Sequence, residues 1–200
     1  MVRLADAVLF DLDGVLIDSY EVWFRVMNAA ARELGYGAIE RAAFHAVWGQ
    51  GLEADQERFF PRHAIAEVGA AYDAHFPAHL AHLHVNGDVP AVFDGLAERG
   101  IPSAVVTNTP GALARELVAR TGVVPDAVVG GDEVPQAKPA PDMVLRACAL
   151  LGVAPVRALV VGDSRFDREA ARAAGARFAG LGIEGGELTL TTLGELVQRL

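Results

Sequence analysis

Short apolar runs that stop on polar residues alternate with amphipathic stretches that stop on glycine through most of this 200-residue chain. The runs are Asp-Ala-Val-Leu-Phe-Asp at 6–11, Ser-Ala-Val-Val-Thr at 103–107, Asp-Ala-Val-Val at 126–129, Arg-Ala-Leu-Val-Val at 157–161 and Ala-Arg-Phe-Ala-Gly-Leu at 176–181. Helical patterns over 90–99, 110–121, 140–151 and 166–174 end at Gly100, Gly122, Gly152 and Gly175, each suited to a left-handed helix cap. Parallel strands need crossovers that lay helices on the sheet, so the alternation predicts an α/β fold with a doubly wound parallel sheet. The tail 188–200 is predicted as a final short helix.

The rhythm is interrupted once. Between about 19 and 85 the pattern is helical only, near 20–34, 40–48, 52–60 and 64–83. An all-helical domain over 18–86 is therefore expected inside an α/β core made of 1–17 and 87–200. Asp18 is expected to cap the first inserted helix, with Glu21 reaching back as in a capping box, and Asn86-Gly87-Asp88 reads as the exit turn.

Composition narrows the partners. A net charge of −9 with no basic stripe disfavours nucleic acid and anionic membranes, and no apolar run approaches the roughly 20 residues of a membrane span. The N-terminus runs straight into a strand without signal-peptide features, so a cytoplasmic location is expected. Cys148 is the single cysteine and reads as a core residue. Of the 17 basic residues only Lys138 is a lysine, which suggests a place that arginine cannot fill.

Ligands of open parallel sheets bind beyond the carboxyl ends of the strands, so the residues ending each strand decide the chemistry. The first strand ends on Asp11, with Asp13 two residues on. The next ends on Thr107-Asn108, a later loop carries Lys138, and the fourth strand ends on Gly162-Asp163-Ser164 with Asp167 one helical turn later. This set suits phosphoryl transfer from a monoester. A divalent ion held by Asp11 and Asp163 would cancel charge, and hard carboxylate oxygens favour Mg²⁺. Lys138 would add an ammonium, and Thr107 would bind phosphoryl oxygens. Asp11 would act as nucleophile while Asp13 protonates the leaving oxygen and later activates water. An EF-hand loop is excluded, because Val15 and Leu16 stand where an oxygen ligand and a glycine are required.

The segments Asp-Leu-Asp-Gly-Val-Leu-Ile-Asp-Ser (11–19), Val-Val-Thr-Asn (105–108), Lys-Pro-Ala-Pro-Asp (138–142) and Val-Gly-Asp-Ser-Arg-Phe-Asp (161–167) resemble, in order, the four motifs of the haloacid dehalogenase-like hydrolases. The helical insertion is similar to that of the helical-cap subfamily, which includes phosphoglycolate phosphatases and β-phosphoglucomutases. The resemblance implies a Rossmann-like core and a phosphatase acting on a small phosphorylated metabolite. It implies Asp11 as nucleophile and metal ligand, and Asp13 as acid/base with its main-chain carbonyl on the metal. It also implies Thr107, Asn108 and Lys138 on the phosphate, Asp163 on the metal, and Asp167, supported by Ser164, orienting Lys138 or a metal-bound water. Asp13 argues against dehalogenation, and the absence of lysine from the insertion argues against phosphonate cleavage. Phosphomutase activity is disfavoured because Trp48-Gly49-Gln50-Gly51-Leu52 lacks the lysine and arginine of the mutase loop.

Structural readings accompany the functional ones. Asp142, just after Pro141, reads as a helix-start acid. His75, His79 and His82 share a helical face, and Pro77 interrupts it, so an exposed face is expected over a metal site. Trp48 and Gln50 are candidate specificity residues in the helical domain, while Phe59 and Phe60 read as packing. A receiver-type phosphoacceptor and a silent binding module are the rival readings; the helical insertion counts against the first and the filled catalytic positions against the second.

Overall fold

A computed structural model describes residues 4–200. The chain divides into two compact units, one made of the chain up to Ile17 together with Val85–Leu200, the other Asp18–His84.

In chain order the elements are β1 (Ala7–Phe10), β2 (Ile17–Asp18), α1 (Tyr20–Glu33), α2 (Arg41–His45), α3 (Leu52–Phe59), α4 (Ile65–His75), β3 (His84–Val85), α5 (Val89–Glu98), β4 (Ser103–Thr107), α6 (Gly111–Thr121), β5 (Ala127–Gly130), α7 (Asp142–Leu151), β6 (Ala158–Gly162), α8 (Arg165–Ala174), β7 (Arg177–Leu181) and β8 (Leu188–Leu190). The larger unit holds a six-stranded sheet in the order β5-β4-β1-β6-β7-β8, and each neighbouring pair is parallel. β1, β4 and β6 are buried along their whole length, which is why they read as unbroken apolar runs instead of alternating ones.

Alternate residues of each strand serve opposite faces. Leu9, Val106 and Val160 join Met143, Val144, Ala147 and Cys148 of α7 and Ala170 and Ala171 of α8 in one apolar cluster. On the strand carrying Leu9, the next side chain, Phe10, stacks on Phe93 of α5 with ring centroids 5.2 Å apart. Cys148 is a buried free thiol of this core, and burial pushes its pKa up.

The tail departs from expectation. Leu188–Leu190 is an edge strand in register with Ala179–Leu181, and only Leu193–Gln198 turns helical, as a 3₁₀ segment. Three residues are too few to show a period, and the open edge of β7 offers the hydrogen bonds: Gly182 N donates to Leu190 O at 2.9 Å.

The helical unit also differs in two places. The helix expected over 64–83 stops at His75 and continues as a 3₁₀ segment, Phe76–His82, because Pro77 has no N–H for an α-helical bond. The capping box at α1 does not form. Ser19 holds the cap position, its side chain does not make the capping bond, and Asp18 Oδ1 accepts from Tyr20 N at 3.3 Å. Glu21 instead bonds Arg25 and Arg41, both at 2.8 Å. Its interior is aromatic: Trp23 packs on Phe76 and Tyr72, and Phe60 meets Tyr36 and Tyr72. Among the described residues no helix is long and apolar enough to cross a membrane.

Candidate active site

The chain leaves β1 toward β4 and β5 on one side, then crosses to β6, β7 and β8 on the other, so β1 and β6 flank the point where the winding reverses. These two strands are in register, Phe10 opposite Val161, and Asp11 N extends the ladder with a 2.9 Å bond to Val161 O. Continuing that register sets Gly162 opposite Asp11 and Asp163 one residue further on, so both acids emerge at the same carboxyl edge of the sheet. β4, on the other flank of β1, ends at Thr107.

The turn after β1 is closed by its own backbone. Leu16 N and Ile17 N both donate to Leu12 O, and Gly14 N donates to Ile17 O at 2.7 Å. Gly14 has φ +85°, and a Cβ there would lie 2.0 Å from Asp163 Oδ2. Glycine is thus required twice over, for the left-handed backbone and for the approach of the second acid. Gly162 does the same for Asp167, whose Cβ would be 2.3 Å from an added methyl.

Lys138 is the hub. Its Nζ lies 2.8 Å from Asp11 Oδ1 and 2.6 Å from Asp167 Oδ1, and donates to Val106 O at 3.1 Å. A tetrahedral ammonium has three donors for these three acceptors, which a planar guanidinium would not match. Burial works against the charged form of Lys138, but Asp11 and Asp167 outweigh it and hold the lysine pKa above its usual value. Asp167 is in turn fixed by the start of α8. Ser164 is the N-cap, its N–H and hydroxyl donate to Asp167 Oδ2 at 3.1 and 2.5 Å, and Asp167 N donates back to Ser164 Oγ.

Asp11 is buried, and that burial, followed by the charge of Asp167, pushes its pKa well up, with Lys138 opposing and Asp163 and Asp13 adding to the rise. One carboxylate oxygen each from Asp11, Asp163 and Asp167 lie within 4.8 Å of one another. Three carboxylates against one ammonium leave surplus negative charge on hard oxygen donors, a set that fits a divalent cation such as Mg²⁺. Asp13, two residues beyond Asp11, has its Oδ2 against the end of β4: Thr109 Oγ1 donates to it at 2.7 Å and Thr107 Oγ1 at 3.3 Å.

The structure thus brings Asp11, Asp13, Thr107, Lys138, Asp163, Ser164 and Asp167 together on one sheet edge within one unit. Asn108, expected on the phosphate, spends both ends of its amide on the main chain of Lys138. Its Nδ2 donates to Lys138 O at 3.1 Å and its Oδ1 accepts from Lys138 N at 2.8 Å. Thr109 is a site residue that the strand-end pattern does not single out. Its only signal is a second hydroxyl two residues after Thr107.

Trp48 and Gln50 belong to the helical unit. Trp48 packs against Tyr20 and Phe44, and Gln50 Nε2 donates to Asp55 Oδ1 at 2.5 Å. Tyr72 OH donates to Asp55 Oδ2 at 3.3 Å, and burial raises the Asp55 pKa to about 7 although both hydrogen bonds pull it down. His75 meets Glu33 at 2.7 Å, and among the described residues the cluster suited to a metal is the aspartate one, with no histidine in it. Asp142 is the first residue of α7, after Pro141 at the cap position.

Comparisons with known proteins point to one family. The family model described as haloacid dehalogenase-like hydrolase matches residues 8–181. A plasmid-encoded phosphoglycolate phosphatase of Cupriavidus necator is 35% identical, covering 84% of this chain and 77% of that protein. A phosphoglycolate phosphatase of Chromobacterium violaceum is 32% identical over 95% of this chain and 94% of its own length. Among solved structures, CbbY of Rhodobacter sphaeroides in complex with phosphate superposes with a TM-score of 0.83 at 26% identity, covering 96% of each chain.

Proposed function

This chain belongs to the haloacid dehalogenase-like hydrolases and is an enzyme acting on phosphate esters, and from that premise we infer that it is a magnesium-dependent phosphatase working through a phosphorylated Asp11. The observation that carries the reading is the Lys138 ammonium held between Asp11 and Asp167 at the strand edge where Asp163 also lies.

Asp11 and Asp163 would hold the Mg²⁺, together with the main-chain carbonyl of Asp13. When bound, the ion supplies positive charge that offsets the phosphate and the carboxylates, reversing the electrostatic pressure that favours a protonated Asp11. Asp11 attacks phosphorus, the bond to the ester oxygen breaks, and Asp13 gives that oxygen its proton. Water then attacks the aspartyl phosphate while Asp13 takes a proton back, releasing inorganic phosphate and restoring Asp11. Lys138 offsets the negative charge of the transferring group as a fixed cation, and the Thr107 hydroxyl turns toward the same group. Asp167 and Ser164 keep Lys138 aimed; Asn108 sets the main chain that carries it.

The named relatives make 2-phosphoglycolate the first substrate to test. Turnover is expected with a panel of phosphorylated two-carbon acids, sugars and nucleotides in Mg²⁺, and loss of turnover in excess chelator. A panel without any turnover in Mg²⁺ would count for a silent module. A single phosphorylation without release would count for a phosphoacceptor, and transfer between two hydroxyls of one sugar for a mutase.

A further inference from the structure

Thr109 lies just beyond the end of β4 and is buried. Its hydroxyl gives the shorter of the two bonds to Asp13 Oδ2, 2.7 Å against 3.3 Å from Thr107, and its N–H donates to Thr107 Oγ1 at 3.1 Å. The backbone around Asp13 is already closed by the bonds to Leu12 O and Ile17 O, so what remains to be fixed there is the side-chain torsion.

A hydroxyl has one proton to give. If the Thr107 proton turns to a phosphoryl oxygen, it cannot also be given to Asp13 at that moment. Thr109 can go on donating to Asp13 throughout, and its N–H holds Thr107 Oγ1 in the acceptor direction while the Thr107 proton swings. The two threonines therefore divide the work.

The geometry points to Thr109 as a positioning residue that aims the Asp13 carboxyl at the leaving-group oxygen, leaving Thr107 for the phosphoryl group. This rests on the reading of Asp13 as general acid. Its consequence is selective, because proton donation matters for an alkoxide leaving group and little for a nitrophenolate. kcat/KM is the right measure, since it reports the steps up to departure of the leaving group and not the later hydrolysis.

The test compares 2-phosphoglycolate with 4-nitrophenyl phosphate for wild type, Thr109→Val, Thr109→Ser and Asp13→Asn, with thermal melts to establish folding. Thr109→Val is expected to lower kcat/KM about tenfold for the alkyl ester and less than about twofold for the aryl ester, with Thr109→Ser restoring the alkyl ester. Equal losses on both esters for Thr109→Val, beside a leaving-group-selective loss for Asp13→Asn, would overturn the role of Thr109 alone. Equal losses on both esters for Asp13→Asn would overturn the general-acid reading and this inference with it. A folded Thr109→Ser protein no better than Thr109→Val on the alkyl ester would likewise refute the hydroxyl's role.

Discussion

Two buried polar clusters in this protein treat their carboxyl groups in opposite ways. At the sheet edge Asp11 and Asp167 are 3% and 0% exposed and share the Lys138 ammonium. In the helical unit Asp55 is 8% exposed and meets an amide and a phenol, Gln50 and Tyr72. Burial is similar; the charge of the partner is not. The edge keeps an ion pair in the interior, where desolvation is worth bearing only if the charges are used. The helical unit keeps a carboxyl whose pKa has risen to about 7, close to neutrality, with two hydrogen bonds from uncharged donors.

The contrast is tested hardest by removing the cation. Lys138→Met leaves two buried carboxylates facing each other, and is expected to cost about 3–5 kcal/mol of stability and about 10²–10³-fold in turnover. Melting in the presence of chelator measures the first and phosphate release the second. A variant that melts like wild type would mean that the edge is not an obligate ion cluster.

The helical unit makes the reverse prediction. The Asp55 pKa is raised in the folded protein, from 3.8 to about 7, so the unfolded chain binds fewer protons between those values and stability falls as pH rises through that range. Above pH 7 the full penalty applies, about 4 kcal/mol at most for a shift of this size, and below about pH 4 it vanishes. Asp55→Asn should therefore stabilise the helical unit at pH 8 and change it far less at pH 5. Both tryptophans, Trp23 and Trp48, lie in this unit, so tryptophan fluorescence during melting reads it selectively. Equal effects at both pH values would show that Asp55 is ionised throughout.

A smaller effect sharpens the edge. Ser164→Ala removes the N-cap of α8 and one of the donors to Asp167 Oδ2. It should cost about 1 kcal/mol in melting and lower turnover modestly, about tenfold or less, because Asp167 keeps the Ser164 N–H and Lys138.

The same contrast explains what the sequence revealed. Asp11, Thr107 and Asp163 were legible because each ends or follows an apolar run, and parallel register does the rest. Asp55 was not, since Glu53, Asp55 and Glu57 on α3 look alike as solvated acids until tertiary packing covers one of them. Glu21 misled for a related reason: its partner Arg41 is 20 residues away, a contact that a local capping pattern does not contain. Asn108 sits in a motif, yet its amide serves Lys138 across 30 residues of chain. Thr109 and the edge strand β8 are short features whose meaning comes from a neighbour, Asp13 in one case and β7 in the other.

Transfer of the phosphoryl group to Asp11 is tested most directly by trapping the acyl phosphate. Enzyme mixed with substrate and Mg²⁺, quenched in acid within one turnover and mapped by peptide mass, should carry phosphate on the Asp11 peptide, and Asp11→Asn should show neither the adduct nor turnover. Undiminished Mg²⁺-dependent turnover by Asp11→Asn, with no phosphorylated peptide in the wild type, would contradict it.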